Sequence, residues 1–198
     1  VQSGVYKGVS AADRAAERRR RLLDAALSVW ADPAARTTMT AVCAGAGLTE
    51  RYFYESFAHL DEALTAVLED VATEIETITL AAADAAGPDP AARITAAVEA
   101  FVDLLVADPR KGRVAIIEAA ALPALRGRRT QLLRHFARLA AEEAHHHAAH
   151  RHEDELAGLL FIGGIAEVVT AWLDGALDVA PEEVVATAAR AFLGLYPS

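Results

Sequence analysis

The sequence predicts an all-helical protein of about nine helices. Three observations carry that expectation. Alanine is abundant, proline is sparse and β-branched residues seldom cluster, a composition that favours helix. Apolar residues recur at spacings of three and four, the repeat of one helix face. Pro109, Pro123 and Pro181 fall at or near expected helix starts, where a missing N–H leaves no bond unmade. No segment alternates as a strand would, and no internal repeat is visible.

Residues 1–10 read as a tail. A helix follows over 11–31, its stripe formed by Leu22, Leu23, Ala26, Leu27 and Trp30. Asp32-Pro33 ends it, because proline disfavours helical geometry in the residue before it. Thr37 or Thr38 offers the N-cap of a short helix at 40–46. Gly47 marks a turn, and Thr49 is the next cap, opening a helix at 50–55. Another helix starts near Asp61 and continues past Ile78 into the alanine run at 81–86. Gly87-Pro88-Asp89-Pro90 is the clearest loop. Helices are expected beyond it at 91–107, 110–120, 123–149, 154–174 and 181–195. The functional division falls between residues 11–60 and residues 61–198.

With 198 residues, 54% of them apolar, the chain can build a sizeable core and is not disordered. The formal net charge of -9 is unevenly spread. Residues 1–60 hold eight Lys/Arg against six Asp/Glu, and the remainder holds eleven against twenty-two. A mildly basic head on an acidic body suits a nucleic-acid reader with a separate regulatory part. The lone cysteine, Cys43, cannot form an internal disulfide. That fits a reducing cytoplasm, as does the lack of an apolar signal core in the first twenty residues.

The stretch from Thr38 to Phe57 carries the functional reading. A helix-turn-helix needs a small residue where its helices touch, a glycine at the sharp turn, and an apolar residue that locks the second helix down. Cys43, Gly47 and Phe53 supply these, and Val42, Leu48 and Phe57 complete a small core. The outward face of the second helix holds Thr49, Glu50, Arg51, Tyr52 and Ser56, polar or aromatic groups able to meet DNA.

The run Arg21-Leu22-Leu23-Asp24-Ala25-Ala26, then Thr38, Ala46-Gly47-Leu48-Thr49, Tyr54, Phe57 and Asp61-Glu62-Ala63-Leu64, resembles the DNA-binding domain of the tetracycline-repressor (TetR) family. The likeness covers residues 14–64. It extends more loosely to Gly163-Gly164-Ile165, Ala171-Trp172-Leu173-Asp174-Gly175 and Pro181-Glu182-Glu183-Val184. The resemblance implies a three-helix DNA-binding head on a helical ligand-binding and dimerisation body. It implies double-stranded operator DNA, a homodimer and an unidentified small-molecule effector as partners, with no cofactor, metal or membrane. Thr38 and Thr49 would then cap helices and contact phosphates, and Tyr54 would bind a phosphate. Arg51 and Tyr52 would face bases or backbone. Arg51 is the best base reader, since guanidinium pairs with guanine O6 and N7. Glu50 either accepts from cytosine N4 or merely favours the helix N-terminus. Two departures stand out: Leu60 occupies a position where a lysine is common, leaving His59 as a weak substitute, and Pro33-Ala34 replaces a glycine after the first helix.

Other features have two readings each. Arg18, Arg19, Arg20 and Arg21 either track phosphates or form a solvated face, and four consecutive residues cannot all face DNA. Residues 156–173 are apolar nearly all round, which implies burial on every side. They are short for a membrane span and carry Glu167. A second chain would therefore cover one face, with Gly163 and Gly164 allowing close approach and Val184, Val185, Ala188 and Phe192 joining them. Phe101, Leu105, Ile117 and Phe136, with Leu104, Ile116, Leu132 and Leu133, either line an apolar effector pocket or are plain core. His145, His146, His147, His150 and His152 form a solvated helix end or, with His146 and His150 one turn apart, part of a metal site. Cys43 reads as core filler rather than redox sensor.

Three alternatives remain at this point. An enzyme would need a motif, yet no Gly-x-Ser-x-Gly, phosphate-binding glycine loop, His-Glu-x-x-His or cysteine pair occurs. A helical partner-binding protein without DNA contacts is favoured by Leu60 and opposed by Arg51 and Tyr54. An activator is equally compatible with the head, since sign depends on operator position.

Overall fold

The computed structural model describes residues 10–145 and 152–196, with side chains over 10–144 and 154–196, and no strand occurs among them. The chain divides into two compact units between Glu69 and Asp70.

The first unit holds α1 (Ala11–Ala31), α2 (Met39–Ala46), α3 (Glu50–Ser56) and the start of α4 (Leu60–Ala85). Ser10 opens α1 with a capping box: its Oγ accepts from the Asp13 N–H at 3.0 Å, and its own N–H donates to Asp13 Oδ2 at 3.1 Å. Of the predicted stripe, Leu23 is half-buried, and Leu22, Ala26, Leu27 and Trp30 are buried. They meet Val42, Cys43, Ala46, Phe53 and Phe57, and Ala63, Leu64, Val67 and Leu68 of α4 complete the buried set. Phe53 and Phe57 pack as tilted rings 5.5 Å apart.

The turn between α2 and α3 is fixed by Gly47, whose φ of 61° and ψ of 38° lie in the left-handed region. Its N–H donates to the Ala44 carbonyl at 3.1 Å and the Leu48 N–H to that of Cys43 at 2.9 Å. This is a Schellman ending, which satisfies two orphan carbonyls of α2. Arg21 donates to a third, that of Ala46. An alanine at 47 would be strained, and its Cβ would lie 3.1 Å from that guanidinium. Gly47→Ala is expected to cost the head about 1–2 kcal/mol, read as a lower urea midpoint with unchanged slope.

Cys43 is buried, and burial together with the nearby Glu50 charge pushes its thiol up. A protonated, enclosed thiol is a poor nucleophile. Alkylation of the native protein at pH 7.5 is therefore expected to be far slower than that of the unfolded chain and to scale with the small open population of the head.

The second unit holds the rest of α4, then α5 (Pro90–Ala107), α6 (Pro109–Gly112), a π turn (Arg113–Glu118), α7 (Ala119–Ala121), a 3-10 turn (Pro123–Leu125), α8 (Arg126–His145), α9 (His152–Leu173) and α10 (Pro181–Leu195). Taking 109–121 as one helical stretch, the helices among the described residues are the nine that the sequence predicts. The π turn was not foreseen. Bonding to the fifth residue brings Arg113 beside Glu118 at 3.1 Å, while Arg113 also reaches Asp174 at 3.3 Å. The helix expected from 123 begins at Arg126, because Pro123 to Leu125 form a tighter turn first.

Two helix pairs organise this unit, α8 with α9 and α5 with α10. Gly158 permits the first: a Cβ there would collide with the carbonyl of Ala137. Ile94, Val98 and Val102 pack with Val184, Ala188, Ala189 and Phe192 in the second. Arg93 clasps the unit through Glu143, Asp84 at 2.9 Å and the Gly87 carbonyl at 3.4 Å.

Candidate nucleic-acid interface

The seven residues expected to meet DNA all lie on or beside α2, α3 and the entry to α4. Thr38 caps α2, its hydroxyl accepting from the Ala41 N–H at 3.1 Å. Thr49 stands at the start of α3 with extended backbone, but its hydroxyl makes no capping bond, contrary to expectation. Only its carbonyl serves the helix, accepting from Tyr52 at 3.0 Å. The exposed Thr49 side chain thus remains open to a phosphate.

Glu50, Arg51 and Tyr54 are exposed, Tyr54 by 58% although it is aromatic. A large ring left in water beside a buried one, Phe53, is unusual unless a partner covers it. Tyr52 is half-buried beneath the Arg18 guanidinium, 4.6 Å from its ring centre. His59 caps α4: its Nδ1 accepts from the Glu62 N–H at 3.1 Å. Glu62 reaches back to the Ala58 N–H at 2.6 Å. Accepting at Nδ1 places the proton of the neutral ring on Nε2, where it can be donated to an anion. Leu60 is half-buried and offers no such donor.

The arginine run has structural employment that the sequence did not reveal. Arg18 pairs with Glu55 at 3.6 Å, and Arg19 lies 4.3 Å over the Phe57 ring. Arg20 pairs with Glu17 at 2.6 Å, and Arg21 closes the end of α2. The contacts of Arg18, Arg19 and Arg21 tie α1 to α3, to Phe57 after it and to the end of α2, while that of Arg20 stays within α1. Glu55 was also missed. It accepts from Arg51 Nε at 3.2 Å, one turn along α3. That spacing was legible; its link to Arg18 was not.

In the body, the four residues offered as effector lining sit apart in character. Leu105 is sealed, and its side chain crowds Gly112 together with that of Leu173. Phe101 packs on the α5–α10 cluster, and Ile117 and Phe136 are half-buried.

The expected dimer residues split likewise. Gly163 and Gly164 are exposed, with open space where a Cβ would stand. Val184 and Ala188 are corrected: both are buried in their own chain against α5, so neither can face a second copy. The exposed apolar groups nearby are Leu156, Leu159 and Leu160 on α9 and Leu193 and Leu195 on α10. By length and composition α9 passes the test for a membrane span. It also lies against α8 through Gly158 and carries the exposed Glu167. The histidines at 145, 146, 147, 150 and 152 lie outside the residues whose side chains are described.

No protein-family model and no curated protein matches the chain. Solved structures do. A TetR-like transcriptional regulator from Rhodococcus sp. RHA1 is 20% identical and superposes with a TM-score of 0.72 over 91% of this chain and 97% of its own. A TetR-family regulator from Syntrophomonas wolfei is 13% identical, with a TM-score of 0.74 over 91% and 95%. The FadR regulator of Bacillus subtilis, solved with stearoyl-CoA, is 17% identical, with a TM-score of 0.70 over 89% and 97%. The chain has the fold of TetR-family transcriptional regulators, a helix-turn-helix head followed by a helical C-terminal body.

Proposed function

We propose that this protein is a dimeric, sequence-specific DNA-binding transcriptional repressor that a small-molecule effector releases from a palindromic operator. The observation that carries this reading is α3. It is anchored by Phe53 and turns Thr49, Glu50, Arg51 and Tyr54 outward beside the Thr38 cap. Such a face suits the major groove, with Arg51 as base reader and Thr38, Thr49, Tyr54 and His59 as phosphate ligands. Residues 11–60 form the DNA-binding part in this reading and residues 61–198 the regulatory part. The likeness to solved regulators favours a regulator over an enzyme, and a cytoplasmic location follows from DNA as partner.

A second copy covers the exposed leucines of α9 and α10, with Gly163 and Gly164 at the crossing. One head reads only a few base pairs, so two heads on a two-fold axis are needed for an operator. The effector acts within the body, and α4 is suited to relay it. This helix carries Leu64 and Leu68 in the head core, while further along Glu74 pairs with Lys111 at 2.7 Å and Glu76 with His135 at 2.9 Å. The stearoyl-CoA held by the Bacillus subtilis regulator supports a lipophilic effector here.

The test is amide NMR of the protein titrated with a duplex at low salt. Resonances of Thr38, residues 49–56 and His59 are expected to shift first. Shifts confined to the body, with α3 unmoved, overturn the reading.

A further inference from the structure

We propose that Glu55 is a specificity-determining residue of the DNA-reading face, holding Arg51 in the orientation that reads a base and restraining Arg18 from indiscriminate phosphate binding. The inference rests on the DNA-reading function proposed above. One Glu55 oxygen accepts from Arg51 Nε at 3.2 Å, and the other lies 3.6 Å from Arg18 Nη2. Arg18 in turn stacks over the Tyr52 ring. A single carboxylate thus ties together a cation of α3 and a cation of α1 on the face assigned to DNA.

Two physical consequences follow. The Arg51 side chain is 84% exposed, and among the described residues Glu55 is its polar partner. Binding at Nε leaves both terminal nitrogens as parallel donors, the pattern that guanine O6 and N7 accept. A negative charge on a DNA-facing surface weakens attraction to every phosphate, whatever the sequence. Positioning of Arg51 helps only where the right base is present. Glu55 therefore lowers general affinity and raises discrimination. Its contribution to fold stability is small, since exposed ion pairs contribute little.

The test uses the full chain, a duplex enriched by the wild-type protein from a random library, and a scrambled duplex. For Glu55→Ala, affinity for the scrambled duplex is expected to rise about threefold to tenfold, and the salt slope to steepen by about one. The ratio of enriched to scrambled affinity should fall about twofold to threefold. Base preference should relax at the positions that Arg51→Ala also relaxes, and adding Glu55→Ala to Arg51→Ala should change the ratio no further. Glu55→Gln, which keeps an acceptor for Nε without the charge, should raise scrambled affinity yet retain the base preference. An unchanged ratio in Glu55→Ala overturns the proposal. So does an equal loss on both duplexes accompanied by a lower melting temperature, the mark of a merely structural role. A wild-type protein that enriches no duplex contradicts the DNA-reading function itself, an outcome visible before any variant is made.

Discussion

Replacing Leu156 and Leu160 together by glutamate is expected to convert the proposed dimer to a monomer and to lower operator affinity by about 100-fold or more. Leu160 is 67% exposed and Leu156 is 56% exposed, both on the stretch of α9 that follows Glu155 and carries Glu167 as its one charge. Two-fold symmetry would bring the substitution into the interface twice, setting four unpaired carboxylates where leucines would pack. Leaving charges desolvated and unpaired costs several kcal/mol, so a dissociation constant weakened by about a thousandfold is a modest expectation. Neither side chain belongs to the buried core of its own chain, so helicity should be retained. Sedimentation reads the mass, and titration of an operator duplex reads the affinity. A variant that stays dimeric would place the interface elsewhere on the body.

Phe53→Ala is expected to remove about 3–5 kcal/mol from the head. The ring is fully buried and stacks on Phe57, and it is the only buried side chain that α3 contributes within its own span. Without it, the seven-residue helix keeps just the half-buried Tyr52 ring, beneath Arg18, against the head. Helices that short do not persist alone. Hydrogen exchange should show protection lost over α2 and α3 while α5 and α10, with their own core, keep theirs. DNA binding should vanish while the proposed dimer persists. Equal loss of protection over α5 and α10 would show that head and body unfold as one.

How much of this was legible in the sequence depended on whether the constraint was local. The turn at Gly47 was readable because a left-handed backbone position selects glycine. Phe53 and Cys43 were readable because a helix-turn-helix sets their spacing. The partners of Arg18 and Arg19 were not, since rings from α3 and its following residue reach them only after folding. The π turn escaped notice because Arg113 is fixed partly by Asp174, far along the chain. Val184 and Ala188 were misassigned because an apolar stripe looks the same whether its own core or a second copy covers it. Only the packing of α10 on α5 decides that, and it leaves Leu193 and Leu195 outside instead. Thr49 shows a subtler limit: the cap position was right, while the capping bond is made by the carbonyl alone.

The central claim is that α3 reads sequence. Selection of duplexes by the wild-type protein from a random library, at about 150 mM salt where general phosphate attraction is weak, tests it most directly. The account predicts enrichment of a palindrome whose half-sites lie about one helical turn apart, with Arg51→Ala relaxing a defined base in each half. A folded, dimeric protein that enriches no sequence would contradict it.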